Sequence, residues 1–183
     1  MASRILTVPN QLTFLRLGFL PFFIISIYYD YYGWALAVLI VAALTDGLDG
    51  LLARRLNQKT PLGAYLDPIA DKLLLSSSFL MLGLKGKIVW WVVILVLGRD
   101  VLLLTAAAVI LLVAGYRPFP PSIYGKLTTT VQILLVFLVV LAAVIASPAL
   151  DFVRDVFVYL VAAFTIFSGL HYSLTIARRI SGG

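Results

Sequence analysis

A chain of 183 residues that is 62% hydrophobic and only 12% charged is far more apolar than soluble domains, which carry roughly half apolar and about a quarter charged residues. It could not cover its apolar surface with polar groups in water, so a polytopic membrane protein is expected. The absence of cysteine excludes a disulfide scaffold, thiolate zinc, iron–sulfur ligation and a cysteine nucleophile, and the +6 charge does not point to nucleic acid because the basic residues are scattered between apolar runs.

Six stretches are long enough to cross a bilayer at about 20 residues each: Asn10–Tyr29, Gly33–Arg54, Pro68–Gly83, Ile88–Ala114, Ile123–Ser147 and Phe152–Ala177. The first contains Pro21, expected to kink rather than end the helix. It also carries Asn10, Thr13 and Arg16 and lacks a small-residue cleavage site, so it reads as a retained span and not a secretory signal. The third span is the shortest. Pro118, Pro120 and Pro121 separate spans four and five, and Ser147-Pro148 separates five and six. With no internal repeat, residues 1–183 read as one all-α transmembrane domain.

Orientation follows from the basic residues of the short loops. With the N-terminus inside, the cytoplasmic segments hold eight (Arg4, Arg54, Arg55, Lys59, Arg117, Lys126, Arg178 and Arg179) and the opposite side holds three (Lys85, Lys87 and Arg154). Both termini are therefore expected in the cytoplasm. Tyr28, Tyr29, Tyr31, Tyr32, Trp34, Trp90 and Trp91 then fall at the outer interface, where amphipathic rings prefer to sit.

All eight acidic residues are Asp, and four of them lie between positions 46 and 71. Asp46 and Asp49 are three apart and Asp67 and Asp71 four apart, so each pair stacks on one helix face. Span two ends near Arg54 and span three begins near Pro68, which predicts that all four carboxylates converge at the cytoplasmic ends of neighbouring antiparallel helices. Such charge at the edge of hydrocarbon must be protonated, paired or metal-bound. Arg54 and Lys72 could neutralise part of it. Oxygen ligands without His or Cys favour a hard divalent cation, Mg²⁺, Mn²⁺ or Ca²⁺, and two such ions would suit a pyrophosphate. Gly47, Gly50, Ala53 and Gly63 leave room for a flat group to approach the backbone, or simply let helices pack closely.

The pattern Asp-x2-Asp-Gly-x2-Ala-Arg-x8-Gly-x3-Asp-x3-Asp, filled by Asp46, Asp49, Gly50, Ala53, Arg54, Gly63, Asp67 and Asp71, resembles the signature of the CDP-alcohol phosphatidyltransferases. The resemblance implies a membrane enzyme that moves a phosphatidyl group from CDP-diacylglycerol to an alcohol and releases CMP. It implies Asp46, Asp49, Asp67 and Asp71 as ligands of two Mg²⁺ or Mn²⁺ ions, with Asp71 also taking the proton from the acceptor hydroxyl. Gly50, Ala53, Arg54 and Gly63 would line the CDP site. It also implies a homodimer in a bacterial cytoplasmic membrane, with the active site facing the cytoplasm.

For the acceptor, Pro9-Asn10-Gln11-Leu12-Thr13-Phe14-Leu15-Arg16 and Asp67-Pro68-Ile69-Ala70-Asp71-Lys72 are similar to the phosphatidylglycerophosphate synthase branch, which uses glycerol 3-phosphate. Gly98-Arg99-Asp100 and Gly125-Lys126-Leu127-Thr128 look closer to eukaryotic-type cardiolipin synthases, whose acceptor is phosphatidylglycerol. An anionic acceptor needs cations, and Arg99 and Lys126 are the candidates. Arg99, deep within span four, must face a cavity or pair with a carboxylate such as Asp100. Two other classes fit less well. Intramembrane prenyltransferases carry their aspartate motifs on widely separated helices, whereas these span 26 residues. Ion or proton transporters commonly show two related halves, and no second aspartate pair follows residue 71. His171 reads as a packing or interfacial residue.

Overall fold

The computed structural model describes residues 8–56, 61–114 and 123–181. They form six helices: α1 Val8–Tyr28, α2 Tyr32–Leu56, α3 Pro61–Leu84, α4 Trp90–Ala114, α5 Ile123–Val144 and α6 Pro148–Ser181. No strand occurs among the described residues. The helix number matches the six expected stretches, and the bounds differ at several ends. α3 starts at Pro61, seven residues before the expected Pro68, and α6 starts at Pro148 rather than Phe152. Pro148 suits the first helical position of α6, where its missing N–H has no intrahelical partner and its fixed φ is already helical. The described part of α3 is 24 residues long, and Asp67 and Asp71 lie two to three turns inside it. α1 continues through Pro21. The proline-rich link between α4 and α5 lies outside the described residues.

Two short connections close one end of the bundle. Between α1 and α2 the chain turns at Asp30, which has a φ of 62°, and between α3 and α4 it turns at Gly86, with a φ of 67°. The latter is the left-handed conformation that glycine adopts at little cost. Lys85 Nζ donates to Asp30 Oδ2 at 2.9 Å and joins the two turns. Aromatic rings gather here. Tyr28 and Tyr29 meet edge to face at 5.1 Å, and Lys85 and Lys87 lie 5.7 and 5.2 Å from the ring centres of Tyr28 and Tyr32, within cation–π reach.

The core is apolar and runs through all six helices, with Phe23, Ile27, Phe79, Leu82, Val92, Val96, Leu135, Val139, Val140 and Val161 almost fully buried. α1 packs chiefly on α2 and α3, α5 packs on α6, and α4 lies against α6 and α3. α3 and α4 approach closely at Gly83, where an added methyl would come 2.8 Å from Val93 Cγ2. The outside is equally apolar: Trp34, Ile123 and Phe152 are more than 70% exposed, with Phe22, Ile94 and Leu104 close behind. Among the described residues, α5 is the helix long and apolar enough to cross a membrane by length and composition, and Leu17–Tyr28 and Tyr32–Thr45 are shorter apolar stretches.

Candidate active site

The eight motif positions divide between two helices. Asp46, Asp49, Gly50, Ala53 and Arg54 lie on the C-terminal part of α2, and Gly63, Asp67 and Asp71 on the N-terminal half of α3. Of these eight, the side chain of Asp71 is described; those of the other seven lie outside the described residues, as does that of Arg16. The expected meeting of four carboxylates therefore lies outside the described residues. α2 and α3 do not pack directly against each other among the described residues: α2 contacts α1 and α5, while α3 contacts α1, α4 and α5. Among the described residues, α2 and α3 instead face a common gap that α5 also borders.

That gap is a cavity of about 350 Å³. α2 supplies Leu39, Ala42 and Ala43, α3 supplies Asp71, Leu74, Leu75 and Ser78, and α5 supplies the rest of the wall, including Val136 and Phe137. Positions 71, 74, 75 and 78 follow the spacing of a single helix face, so one side of α3 is dedicated to the cavity. Asp71 is exposed there, and it is the one acidic side chain among the lining residues. Gly47 also faces open space, since a methyl added to it would meet nothing within 4 Å. Close helix packing thus does not account for that glycine.

Among the described residues, no group of three or more His, Cys, Asp or Glu side chains comes together to hold a metal. The chemistry of the motif still suits one. Its donors are carboxylates on two helices that border a common cavity, which is the oxygen-only set preferred by hard divalent cations.

A polar network crosses the bundle next to this cavity. Lys72 pairs with Asp100 Oδ1 on α4, and Arg99 Nη1 donates to the same oxygen at 3.0 Å. Arg99 Nη2 donates to Ser168 Oγ on α6 at 2.9 Å. The Arg99 and Asp100 side chains are each 6% exposed and that of Lys72 is 34% exposed. Arg99 therefore has the carboxylate partner that its depth requires, and Lys72 reaches α4 as well as standing beside the motif. Arg99 Nε and Asp100 Oδ2 are buried with no hydrogen-bond partner. Lys126, the second cation expected at the acceptor, is exposed on the first turn of α5.

The polar seam continues between α5 and α6. The Thr128 hydroxyl donates to the Phe164 carbonyl at 3.2 Å, Gln132 Nε2 donates to Thr165 Oγ1 at 3.4 Å, and the Tyr124 and His171 rings lie 4.9 Å apart. Sequence reasoning singled out neither Ser168 nor Thr165 as functional, and Gln132 entered only through the resemblance to cardiolipin synthases. Their signal was present as polar residues at helical spacing within apolar runs: 124, 128 and 132 on α5, and 165, 168 and 171 on α6. His171 packs against Tyr124, in keeping with the structural role expected of it.

A family model for CDP-alcohol phosphatidyltransferases matches residues 6–167. A Mycobacterium tuberculosis protein provisionally named phosphatidylglycerophosphate synthase is 34% identical over 98% of this chain and 86% of its own length. Human cardiolipin synthase (CMP-forming) is 31% identical over 88% of the chain and 58% of its own length. Another M. tuberculosis protein, provisionally named cardiolipin synthase, is 38% identical over 69% of the chain, and the matched region spans 61% of that relative.

Proposed function

Because the chain belongs to the CDP-alcohol phosphatidyltransferase family, we propose that it transfers a phosphatidyl group from CDP-diacylglycerol to glycerol 3-phosphate and releases CMP. The observation that carries this reading is the cavity walled by α2, α3 and α5: the two helices that bear the eight-residue motif both line it, and Asp71 stands on its wall. Asp71 takes the proton from the acceptor hydroxyl. The freed oxygen attacks the phosphorus that bears the diacylglycerol, a new P–O bond forms, and the bond from that phosphorus to the CMP oxygen breaks. Asp46, Asp49, Asp67 and Asp71 would hold two Mg²⁺ or Mn²⁺ ions. Such ions supply charge stabilisation on the pyrophosphate oxygens and on the departing CMP. Gly50, Ala53, Arg54 and Gly63 border the nucleotide.

Arg99 and Lys126 are assigned to the anionic acceptor. The buried Arg99 guanidinium is oriented by Asp100 and Ser168, and a preoriented cation binds a phosphate without first losing side-chain freedom. The apolar exterior supports placing all six helices in a bilayer, because such a surface would be unfavourable in water. The bias of basic residues toward the motif end supports cytoplasmic termini and a cytoplasmic site. A bacterial cytoplasmic membrane and a homodimeric assembly complete the proposal.

A second reading, with phosphatidylglycerol as acceptor and cardiolipin as product, is favoured by Asp100. Its carboxylate offsets part of the charge of Arg99 and Lys72, which suits a phosphodiester monoanion better than a phosphomonoester dianion. One experiment separates the readings. Purified protein in mixed micelles receives labelled CDP-diacylglycerol and Mg²⁺ with either glycerol 3-phosphate or phosphatidylglycerol, and the lipid product is identified. CMP release with phosphatidylglycerophosphate as product supports the first reading, and cardiolipin supports the second. No CMP with either acceptor refutes both.

A further inference from the structure

The α3 helix presents two adjacent residues to two different neighbours. Asp71 lines the cavity shared with α2 and α5, whereas Lys72 is paired with Asp100 on α4. Successive residues of an α-helix are about 100° apart around its axis. Holding Lys72 toward α4 therefore turns Asp71, together with Leu74, Leu75 and Ser78, toward the cavity. α3 packs less extensively on α4 than on α1, and among the described residues two features stand out in the α3–α4 contact besides its apolar packing. One is the close approach of Gly83 to Val93 near the turn, and the other is the ion pair of Lys72 beside the motif.

We propose that the Lys72–Asp100 ion pair sets the rotation of α3, making both side chains positioning residues that aim Asp71 into the cavity. The proposal rests on the assignment of Asp71 as the base. The pair is suited to the task because Asp100 is buried and its Oδ1 also receives Arg99. Withdrawing that carboxylate strands the buried Arg99 guanidinium, which is a steep penalty, and frees the partly exposed Lys72. Arg99 is in turn fastened to Ser168 on α6. One oxygen of Asp100 thus holds α3 and the Arg99 guanidinium in a common frame.

The test begins with Lys72→Met, which leaves Arg99 and Asp100 as a neutral pair and so spares the fold the stranded charge that Asp100→Asn creates. With both substrates saturating, kcat is expected to fall about tenfold while the KM for CDP-diacylglycerol stays within about twofold. Lys72→Arg, which keeps the ion pair, is expected to restore kcat to within about threefold of the parent. The Lys72→Met/Asp100→Asn double variant is expected to be no slower than the slower single variant, the sign of one shared function.

A second readout needs no turnover. The chain has no cysteine, so Asp71→Cys introduces a single thiol at an exposed position, and its reaction rate with a small water-soluble thiol reagent reports where α3 points. Adding Lys72→Met is expected to change that rate by about fivefold or more. An unchanged rate overturns the rotational lock, and a changed rate with undiminished kcat in Lys72→Met overturns the positioning role. A lowered unfolding temperature with unchanged kcat per folded molecule overturns it as well. If the parent protein releases no CMP, the functional reading fails while the thiol measurement still decides whether the lock exists.

Discussion

Arg99 Nη2 donates to Ser168 Oγ at 2.9 Å, linking α4 to α6 in the interior of the bundle. Together with Nη1 on Asp100 at 3.0 Å, this bond fixes the plane of a guanidinium whose Nε is buried without a partner. A charge at this depth is costly unless paired, and its polar contacts lie on two different helices. That arrangement is the physical basis for assigning Arg99 to the acceptor rather than to the nucleotide motif on α2 and α3.

Arg99→Ala is expected to raise the acceptor KM about 30-fold or more, since truncating one partner of a desolvated charged contact costs about 2–5 kcal/mol. Affinity for CMP is expected to stay within about twofold of the parent. Steady-state kinetics with each substrate varied in turn, alongside CMP titration, checks both halves. Loss of CMP binding would move Arg99 to the nucleotide side of the site.

Asp71→Asn keeps the shape of the side chain on the cavity wall while removing its capacity to accept a proton. A positioned general base contributes typically 10²–10⁴-fold, so kcat is expected to fall by about that factor. CDP-diacylglycerol binding should largely persist, because three of the motif carboxylates remain. Single-turnover CMP release, compared with equilibrium binding of the lipid nucleotide, distinguishes lost chemistry from lost affinity.

The six helices were legible because apolar runs of bilayer length separated by turns leave few other arrangements, and the pairing of Asp67 with Asp71 on one face follows from helical spacing alone. The start of α6 was not, because Pro148 acts as its first helical residue, a role that sequence alone does not separate from that of a breaker. The gap between α2 and α3 was hidden for a different reason. Neighbours in sequence are usually neighbours in space, whereas the wall of the cavity is assembled from α2, α3 and α5 residues far apart in the chain. Ser168 and Thr165 were obscured because hydroxyls in membrane helices commonly bond their own backbone, as Thr128 does with the Tyr124 carbonyl at 2.8 Å.

Gly83→Ala is expected to destabilise the fold by about 1–3 kcal/mol, the usual cost of overfilling a packed contact. The new methyl would lie 2.8 Å from Val93 Cγ2, and the branched valine has little rotamer freedom with which to yield. Gly18 in α1 provides the contrast, since an added methyl there meets nothing within 4 Å. Gly18→Ala should instead gain up to about 1 kcal/mol from helix propensity. Thermal unfolding of both variants in the same detergent gives the comparison, and equal shifts would refute the close approach of α3 to α4.

The Asp30–Lys85 pair makes the turn end of the bundle sensitive to acid. The Lys85 ammonium, and after it the Tyr32 hydroxyl, hold the Asp30 carboxyl below its ordinary pKa of 3.8. A carboxylate whose pKa is lowered on folding contributes stability that is present in full above its unfolded pKa and is lost as pH falls through the lower folded value. Asp30→Asn is the appropriate comparison, because asparagine tolerates the left-handed backbone found here and removes only the charge. The parent should therefore unfold at a higher temperature than the variant at neutral pH. That gap should narrow below about pH 3.8 as the parent's carboxylate takes up its proton, and added salt should shrink it at neutral pH because the group is exposed. A gap that stayed constant from pH 7 to pH 2 would show that the turn is held by its backbone and rings rather than by this ion pair.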